Sequence, residues 1–158
     1  MIRVLFICHG NICRSPMAEF IFKKMVEERG IADDFYIESA ATSTEEIWGG
    51  VGNPVYPPAR DELKRHGIDC SGKRARLVKR SDYDVFDYLI CMEQVNIRNT
   101  LRIIGSDPEG KIIRLLDYGS RPRDIADPWY TGLFDRTYND IMEGLMAFLE
   151  YLGYNFCD

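Results

Sequence analysis

Cys8, Arg14, Ser15 and Asp127 are the residues in this 158-residue chain whose types and spacing could carry covalent chemistry. The first three lie in Phe6-Ile-Cys-His-Gly-Asn-Ile-Cys-Arg-Ser-Pro16, where a cysteine and an arginine bracket five residues. Such a stretch could be a disulfide knot, a metal site or a loop shaped around an anion. The five cysteines are odd in number and scattered, which argues against a disulfide framework and for a reducing cytoplasm. There is no C-x-x-C pair, and His9 and His66 show no ligand spacing, so neither a metal nor a cofactor is expected. The anion reading has more behind it. Successive backbone N–H groups can converge in a nest, a helix start adds unpaired N–H groups, and Gly10 permits backbone angles closed to other residues. The Arg14 guanidinium offers a planar fork to two oxygens of a phosphate. His9, Gly10, Asn11, Ile12 and Cys13 complete this loop.

Cys8 would sit under the bound anion, where the same donors stabilise a thiolate placed to attack phosphorus in line. Ester cleavage also needs a proton for the leaving oxygen and later a base for water. Asp-Ile-Ala-Asp127-Pro-Trp-Tyr-Thr-Gly supplies a carboxyl group. Asp127 precedes a proline, which biases it to an extended conformation, and Trp129 and Tyr130 suit the wall of a pocket for an aromatic ring. Asp124 is a competing acid without the proline or the adjacent aromatics.

Elements must bring these segments together. Residues 2–7 read as a short buried strand, followed by a helix with Ser15 as cap, Pro16 in its first turn and Gly30 at its end. Further strands are predicted at 34–41, 87–92 and 111–118, and helices at 58–66, 95–104 and about 131–152. Residues 42–58 and 119–130 read as loops. Strands alternating with helices imply a parallel sheet covered on both faces, with ligands beyond the carboxyl ends of its strands. The loops at 8–14 and 119–130 would then face one crevice.

Composition sets the remaining limits. At 46 % hydrophobic and 28 % charged, the chain reads as an ordinary soluble globular domain spanning residues 1–158. A net charge of −5 disfavours nucleic acid, although Lys73-Arg-Ala-Arg76 with Lys79-Arg80 makes a local basic run, read as a solvated face. No apolar stretch approaches a membrane span, and the N-terminal apolar run is too short for a signal peptide.

CHGNICRSP near the start and DPWY near the end, with SAATS, KRHGI and FDYLICM between them, resemble the low-molecular-weight protein tyrosine phosphatase family along essentially the whole chain. The resemblance implies a three-layer αβα sandwich of the phosphatase I-like kind, its four-stranded parallel sheet in the order 2-1-3-4. It implies a phosphotyrosine-bearing protein or peptide as substrate, with phosphate or vanadate as inhibitory anions. Cys8 is then the nucleophile, Arg14 the phosphoryl ligand, Ser15 the aid to the thiolate and Asp127 the general acid and base. Asn11 is expected to hold the loop through a network with Ser15, Ser39 and His66, and Cys13 to form a reversible disulfide with Cys8. Two departures stand out. Position 9 is His where many members carry an apolar residue, and TSTEEIWGGVGNPVYPP is longer than the usual loop, with Trp48 expected on the pocket wall opposite Trp129 and Tyr130. Arsenate reduction uses a similar loop but needs closely spaced extra cysteines, whereas Cys70 and Cys91 are far apart. Phosphoarginine hydrolases resemble the chain too, but tend to carry Thr where Ile12 stands. A non-catalytic phosphate-binding module would not need both Cys8 and Asp127.

Overall fold

A computed structural model describes residues 1–154; Cys157 lies outside the described residues. In chain order the elements are β1 (Ile2–Cys8), α1 (Arg14–Glu28), β2 (Phe35–Ala41), β3 (Ile47–Trp48), β4 (Val51–Gly52), α2 (Pro57–Arg65) and α3 (Asp82–Val85). Then follow β5 (Tyr88–Cys91), α4 (Gln94–Ile104), β6 (Ile112–Arg114), α5 (Pro128–Thr131) and α6 (Phe134–Tyr151).

Four strands form one parallel sheet in the order β2-β1-β5-β6, which is 2-1-3-4 when only the strands of this sheet are counted. β1 is central, and its alternation sorts the core into two layers, because successive side chains leave opposite faces of a strand. Val4 and Phe6 pack with Phe22, Leu145 and Phe148 of α1 and α6. Leu5 and Ile7 pack with Phe86, Leu89 and Ile104 on the α4 side. Phe22 joins the first layer edge-on to Phe6 at 5.9 Å between ring centroids. A sheet with helices on both faces buries its centre completely, and Val4 to Ile7 are wholly inaccessible.

Departures from the expected elements have local causes. The strand expected at 111–118 stops at Arg114, and Leu115–Tyr118 is a 3-10 turn. Leu115 and Leu116 both enter the same core layer, which adjacent residues of one strand cannot do. The loop expected at 42–58 contains the β3–β4 hairpin, turned by Gly49 and Gly50. Both glycines have positive φ, 56° and 79°, as a two-residue hairpin turn of right-handed twist requires. The last helix begins at Phe134 rather than 131, because Gly132 at φ 72° ends α5 first. Ser15 is not the cap of α1; Cys13 occupies that position and Ser15 lies in the first turn.

The basic run is not simply a solvated face. Residues 73–78 cross the carboxyl end of β2 as a strap. Val78 N–H donates to Ala41 O at 2.8 Å, Ala75 N–H to Asn53 O at 2.9 Å, and Arg76 N–H to the Asn11 side chain at 3.2 Å. Lys73 donates to Ser39 O at 2.9 Å, Arg74 to Gly52 O at 3.0 Å, and Arg76 pairs with Asp82 at 3.0 Å. The strap thus ties the hairpin to the sheet beside the Cys8 loop.

Gly52 is where strap and hairpin press together. A Cβ there would stand 1.8 Å from Ala75 O, and a backbone atom held in a hydrogen-bonded strap cannot yield cheaply. Gly52→Ala should therefore lower stability by ~1–3 kcal/mol. Urea unfolding should show a lower midpoint at an unchanged slope; an unchanged midpoint would mean that the close approach carries no stability.

Candidate active site

The chain leaves β1 at Cys8 and enters α1 at Arg14, so five residues must reverse direction beyond the sheet. Asn11 makes the reversal. It is the one non-glycine residue with positive φ, 59°, among the described residues, and asparagine tolerates that region better than most side chains. Its buried side chain spends every polar atom. Nδ2 donates to Ser15 Oγ at 2.7 Å and to Ser39 Oγ at 2.9 Å, while Oδ1 accepts from Arg76 N–H.

These bonds place the two hydroxyls. Ser15 Oγ accepts from Asn11 and lies 3.0 Å from Cys8 Sγ, with a longer contact of 3.5 Å to Ala40 O, so its hydroxyl stands within reach of a Cys8 thiolate. Ser39 Oγ likewise accepts from Asn11 and gives its proton to Glu19 Oε1 at 2.5 Å. Cys8 Sγ also accepts from Asn11 N–H at 3.3 Å. Cys8 is buried at the start of α1, whose first N–H groups have no partner within the helix.

Arg14 is 1 % exposed, and a buried guanidinium needs partners on its whole edge. It donates to Ile125 O at 2.9 Å and to Glu93 Oε1 at 3.0 Å, and its Nη2 lies 3.3 Å from Asp127 Oδ2. Burial works against its charge, but Cys8, Asp127 and Glu93 outweigh that and hold it above its ordinary value. Asp127 has the extended backbone expected before proline, and its Oδ1 accepts from Trp129 N–H at 3.0 Å at the start of α5. Asp124 is occupied elsewhere. Its Oδ1 accepts from Gln94 N–H and from Arg114, both at 2.9 Å.

A cavity of about 130 Å³ opens between these segments, close to the ~150 Å³ that takes up a benzene. Cys8, His9, Gly10, Ile12, Cys13 and Arg14 line it from the loop. Asp127, Trp129 and Tyr130 line it from α5, and Glu45 and Glu46 from the segment leading into β3. Tyr56 braces Trp129 at 4.7 Å between ring centroids. Tyr130 is 84 % exposed at the mouth.

Two expected placements are corrected. Trp48 is not among the lining residues; it is 74 % exposed on the hairpin. Strand alternation is the reason, since Ile47 packs against the core and sends its neighbour outward. His66 is not in the Asn11 network. It lies 2.9 Å from Glu62 one helical turn earlier and stacks on Tyr138 at 3.6 Å. Glu62 is buried, and His66 together with Arg65 covers its carboxylate. Glu19 takes the place expected of His66, itself paired with Lys23 at 2.6 Å and Lys73 at 3.3 Å.

Glu93, Glu19, Glu45 and Glu46 are the site residues that sequence reasoning missed. Glu93 follows the carboxyl end of a strand, where ligand-facing groups gather, and Glu19 follows Ser15 by one helical turn. Nothing in the spacing of Glu45 and Glu46 places them at the loop.

The cysteines divide by surroundings. Burial, then the nearby Cys8 and Asp127, raises the Cys13 thiol well above its ordinary range, and burial pushes Cys91 up to about 12. Both should stay protonated and unreactive to iodoacetamide in the native protein at about pH 8, and be alkylated once the chain is unfolded. Mass mapping of the labelled cysteines reads this directly, and rapid native labelling of Cys13 or Cys91 would overturn it.

Comparison with known proteins adds ancestry to this geometry. The family model described as low molecular weight phosphotyrosine protein phosphatase matches residues 3–156. The low molecular weight protein-tyrosine-phosphatase YfkJ of Bacillus subtilis is 40 % identical over 148 residues, 91 % of each chain. Its crystal structure superposes with a TM-score of 0.89, covering 97 % of this chain and 95 % of that one. The low molecular weight phosphotyrosine protein phosphatase of Rattus norvegicus is 37 % identical over 163 residues, 93 % of each chain. A Drosophila arginine phosphatase superposes with a TM-score of 0.85 at 30 % identity, covering 97 % of this chain and 99 % of that one.

Proposed function

The chain belongs to the low molecular weight phosphotyrosine protein phosphatase family, and we propose that the residues gathered around Cys8 hydrolyse phosphotyrosine through a phosphocysteine intermediate. It is a protein-tyrosine phosphatase, and the family acts through a cysteine nucleophile. The observation that carries the residue assignment is the convergence of Cys8, Arg14 and Asp127 on one small cavity with aromatic walls.

In this reading the phosphoryl group lies over Cys8 Sγ, its free oxygens on the loop N–H groups and the Arg14 fork. Sγ attacks phosphorus in line, and the tyrosyl oxygen leaves with a proton from Asp127. Asp127 then takes a proton from water as that water attacks the phosphocysteine, releasing phosphate and the Cys8 thiolate. The Ser15 hydroxyl, already aimed at Sγ, stabilises that thiolate as it departs. Glu93 orients Arg14, and Asn11 with Ser39 and Glu19 holds the loop open. No step calls for a metal or a cofactor. Phosphate and vanadate occupy the same loop as inhibitors.

Ile12, Trp129 and Tyr130 give the cavity flat apolar surface, which supports an aryl phosphate over phosphoarginine. Cys13 is the partner for oxidised Cys8. Peroxide converts the Cys8 thiolate to a sulfenic acid, which condenses with the Cys13 thiol to a disulfide with loss of water. The chain works as one domain in the cytoplasm; the free buried thiols Cys8, Cys13, Cys70 and Cys91 suit a reducing compartment. Among the described residues no helix is long and apolar enough to cross a membrane.

Steady-state kinetics on a series of aryl phosphates tests these roles. Cys8→Ser should abolish turnover, and wild-type activity in that variant would sink the mechanism. Asp127→Asn should lower kcat by ~10²–10³-fold for phosphotyrosine and much less for a good leaving group such as p-nitrophenolate. An equal loss across all leaving groups would remove Asp127 from the acid role. Phosphotyrosine peptides should be cleaved far faster than matched phosphoarginine peptides, and the reverse order would reassign the substrate.

A further inference from the structure

The chemistry above leaves the segment Thr44-Glu-Glu-Ile-Trp48 and His9 unused, although three of these residues line the cavity. Glu45 Oε2 lies 3.0 Å from His9 Nε2, so a carboxylate is joined to the phosphate loop itself. Glu46 accepts from Asn53 Nδ2 at 2.7 Å, and its Cγ stands 3.3 Å from where a Cβ on Gly10 would be. Backbone bonds from Ser43 N–H to His9 O at 3.0 Å and from Asn53 N–H to Glu46 O at 2.8 Å fix the segment against the loop. The two carboxylates are therefore held in place, not scattered over a mobile surface.

Their sign is the puzzle. Arg14 is the one arginine or lysine among the lining residues, and Glu45 and Glu46 add two carboxylates beside the Cys8 and Asp127 that the chemistry already requires. A pocket that must accept a phosphate dianion gains nothing for binding phosphate from two added carboxylates. Glu45 is 70 % exposed at the side chain, so one of these charges faces the solution from which the substrate chain arrives. Trp48 at 74 % and Val51 at 58 % exposure, on the same hairpin, offer apolar surface for the stems of long side chains.

We infer that Glu45 and Glu46 are specificity-determining residues, which make the enzyme select phosphotyrosine flanked by lysine or arginine and reject it between acidic residues. This rests on the phosphatase reading and names the substrate class of the same site. A basic flank restores the balance that the dianion upsets, while an acidic flank adds to the repulsion.

Two phosphotyrosine peptides of identical length test this, one with lysine and one with glutamate at the two positions on each side of the phosphotyrosine. For the wild-type protein at low ionic strength, kcat/KM should favour the lysine peptide by about fivefold or more, the scale of exposed ion pairs summed over two charges. The preference should shrink toward one in about 0.5 M salt, as exposed charges are screened. In E45Q/E46Q the ratio should also fall toward one, and in E45K it should tip toward the glutamate peptide. E45K changes only an exposed side chain and so keeps the test open should the double variant fail to fold. An unchanged ratio in E45K, or equal rates for both peptides with the wild-type protein, would overturn the inference and leave the phosphatase reading intact. No hydrolysis of either peptide would overturn both.

Discussion

Everything around Cys8 depends on one left-handed residue. A loop of five residues between a strand end and a helix start has to turn sharply enough for its N–H groups to face one point, and Asn11 at φ 59° makes that turn. Such a backbone costs free energy, and the compensation is visible. Three hydrogen bonds reach it from α1, from β2 and from the strap over the sheet edge. Those bonds also place two hydroxyls. Asn11 donates to both Ser15 and Ser39, which holds the Ser15 hydroxyl 3.0 Å from Cys8 Sγ and the Ser39 hydroxyl as donor to the Glu19 carboxylate. The same residue that makes the turn therefore positions the Ser15 hydroxyl beside the sulfur and gives the sulfur its own N–H.

The second requirement is electrostatic. A guanidinium as deeply buried as Arg14 is tolerable only with partners, since breaking a buried pair leaves an uncompensated charge at a cost of several kcal/mol. Two segments distant in sequence supply them: Glu93 beyond β5, and the loop before α5 with the carbonyl of Ile125 and the carboxylate of Asp127. This is the advantage of a parallel sheet, whose strands all deliver their following loops to the same end. Arg14 is thereby oriented before any ligand arrives, and Asp127 is brought to the cavity by the same contact. Glu93 has a second tie, because Asn96 accepts from its N–H at 3.0 Å at the start of α4.

Legibility followed the range of the interactions. Strands, helices and the parallel sheet could be read because apolar periodicity and helix-ending glycines are local signals, as with Gly30 after α1. Cys8, Arg14 and Asp127 could be read because their neighbours in sequence share their surroundings. Trp48 and His66 were misplaced for one reason. Each has the right residue type near the right segment, but alternation in a two-residue strand turns Trp48 outward, and Glu62 one helical turn away captures His66. The basic run 73–80 read as a solvated face, yet several of its bonds go to groups more than twenty residues distant, such as Ser39, Gly52 and Asn11.

Sequence alone determined the order of the sheet strands and the long helices between them, the loop able to bind an oxyanion, and the cysteine and the aspartate before proline proposed to react there, because each is encoded in residues that are neighbours along the chain. Tertiary structure alone decided which partners those groups have. Glu19 rather than His66 anchors Ser39, Glu93 shares Arg14 with Asp127, and Glu45 and Glu46 rather than Trp48 complete the cavity wall. These choices depend on where separate segments meet above the sheet and on which polar groups burial obliges to pair, and neither is written in the spacing of residues along the chain.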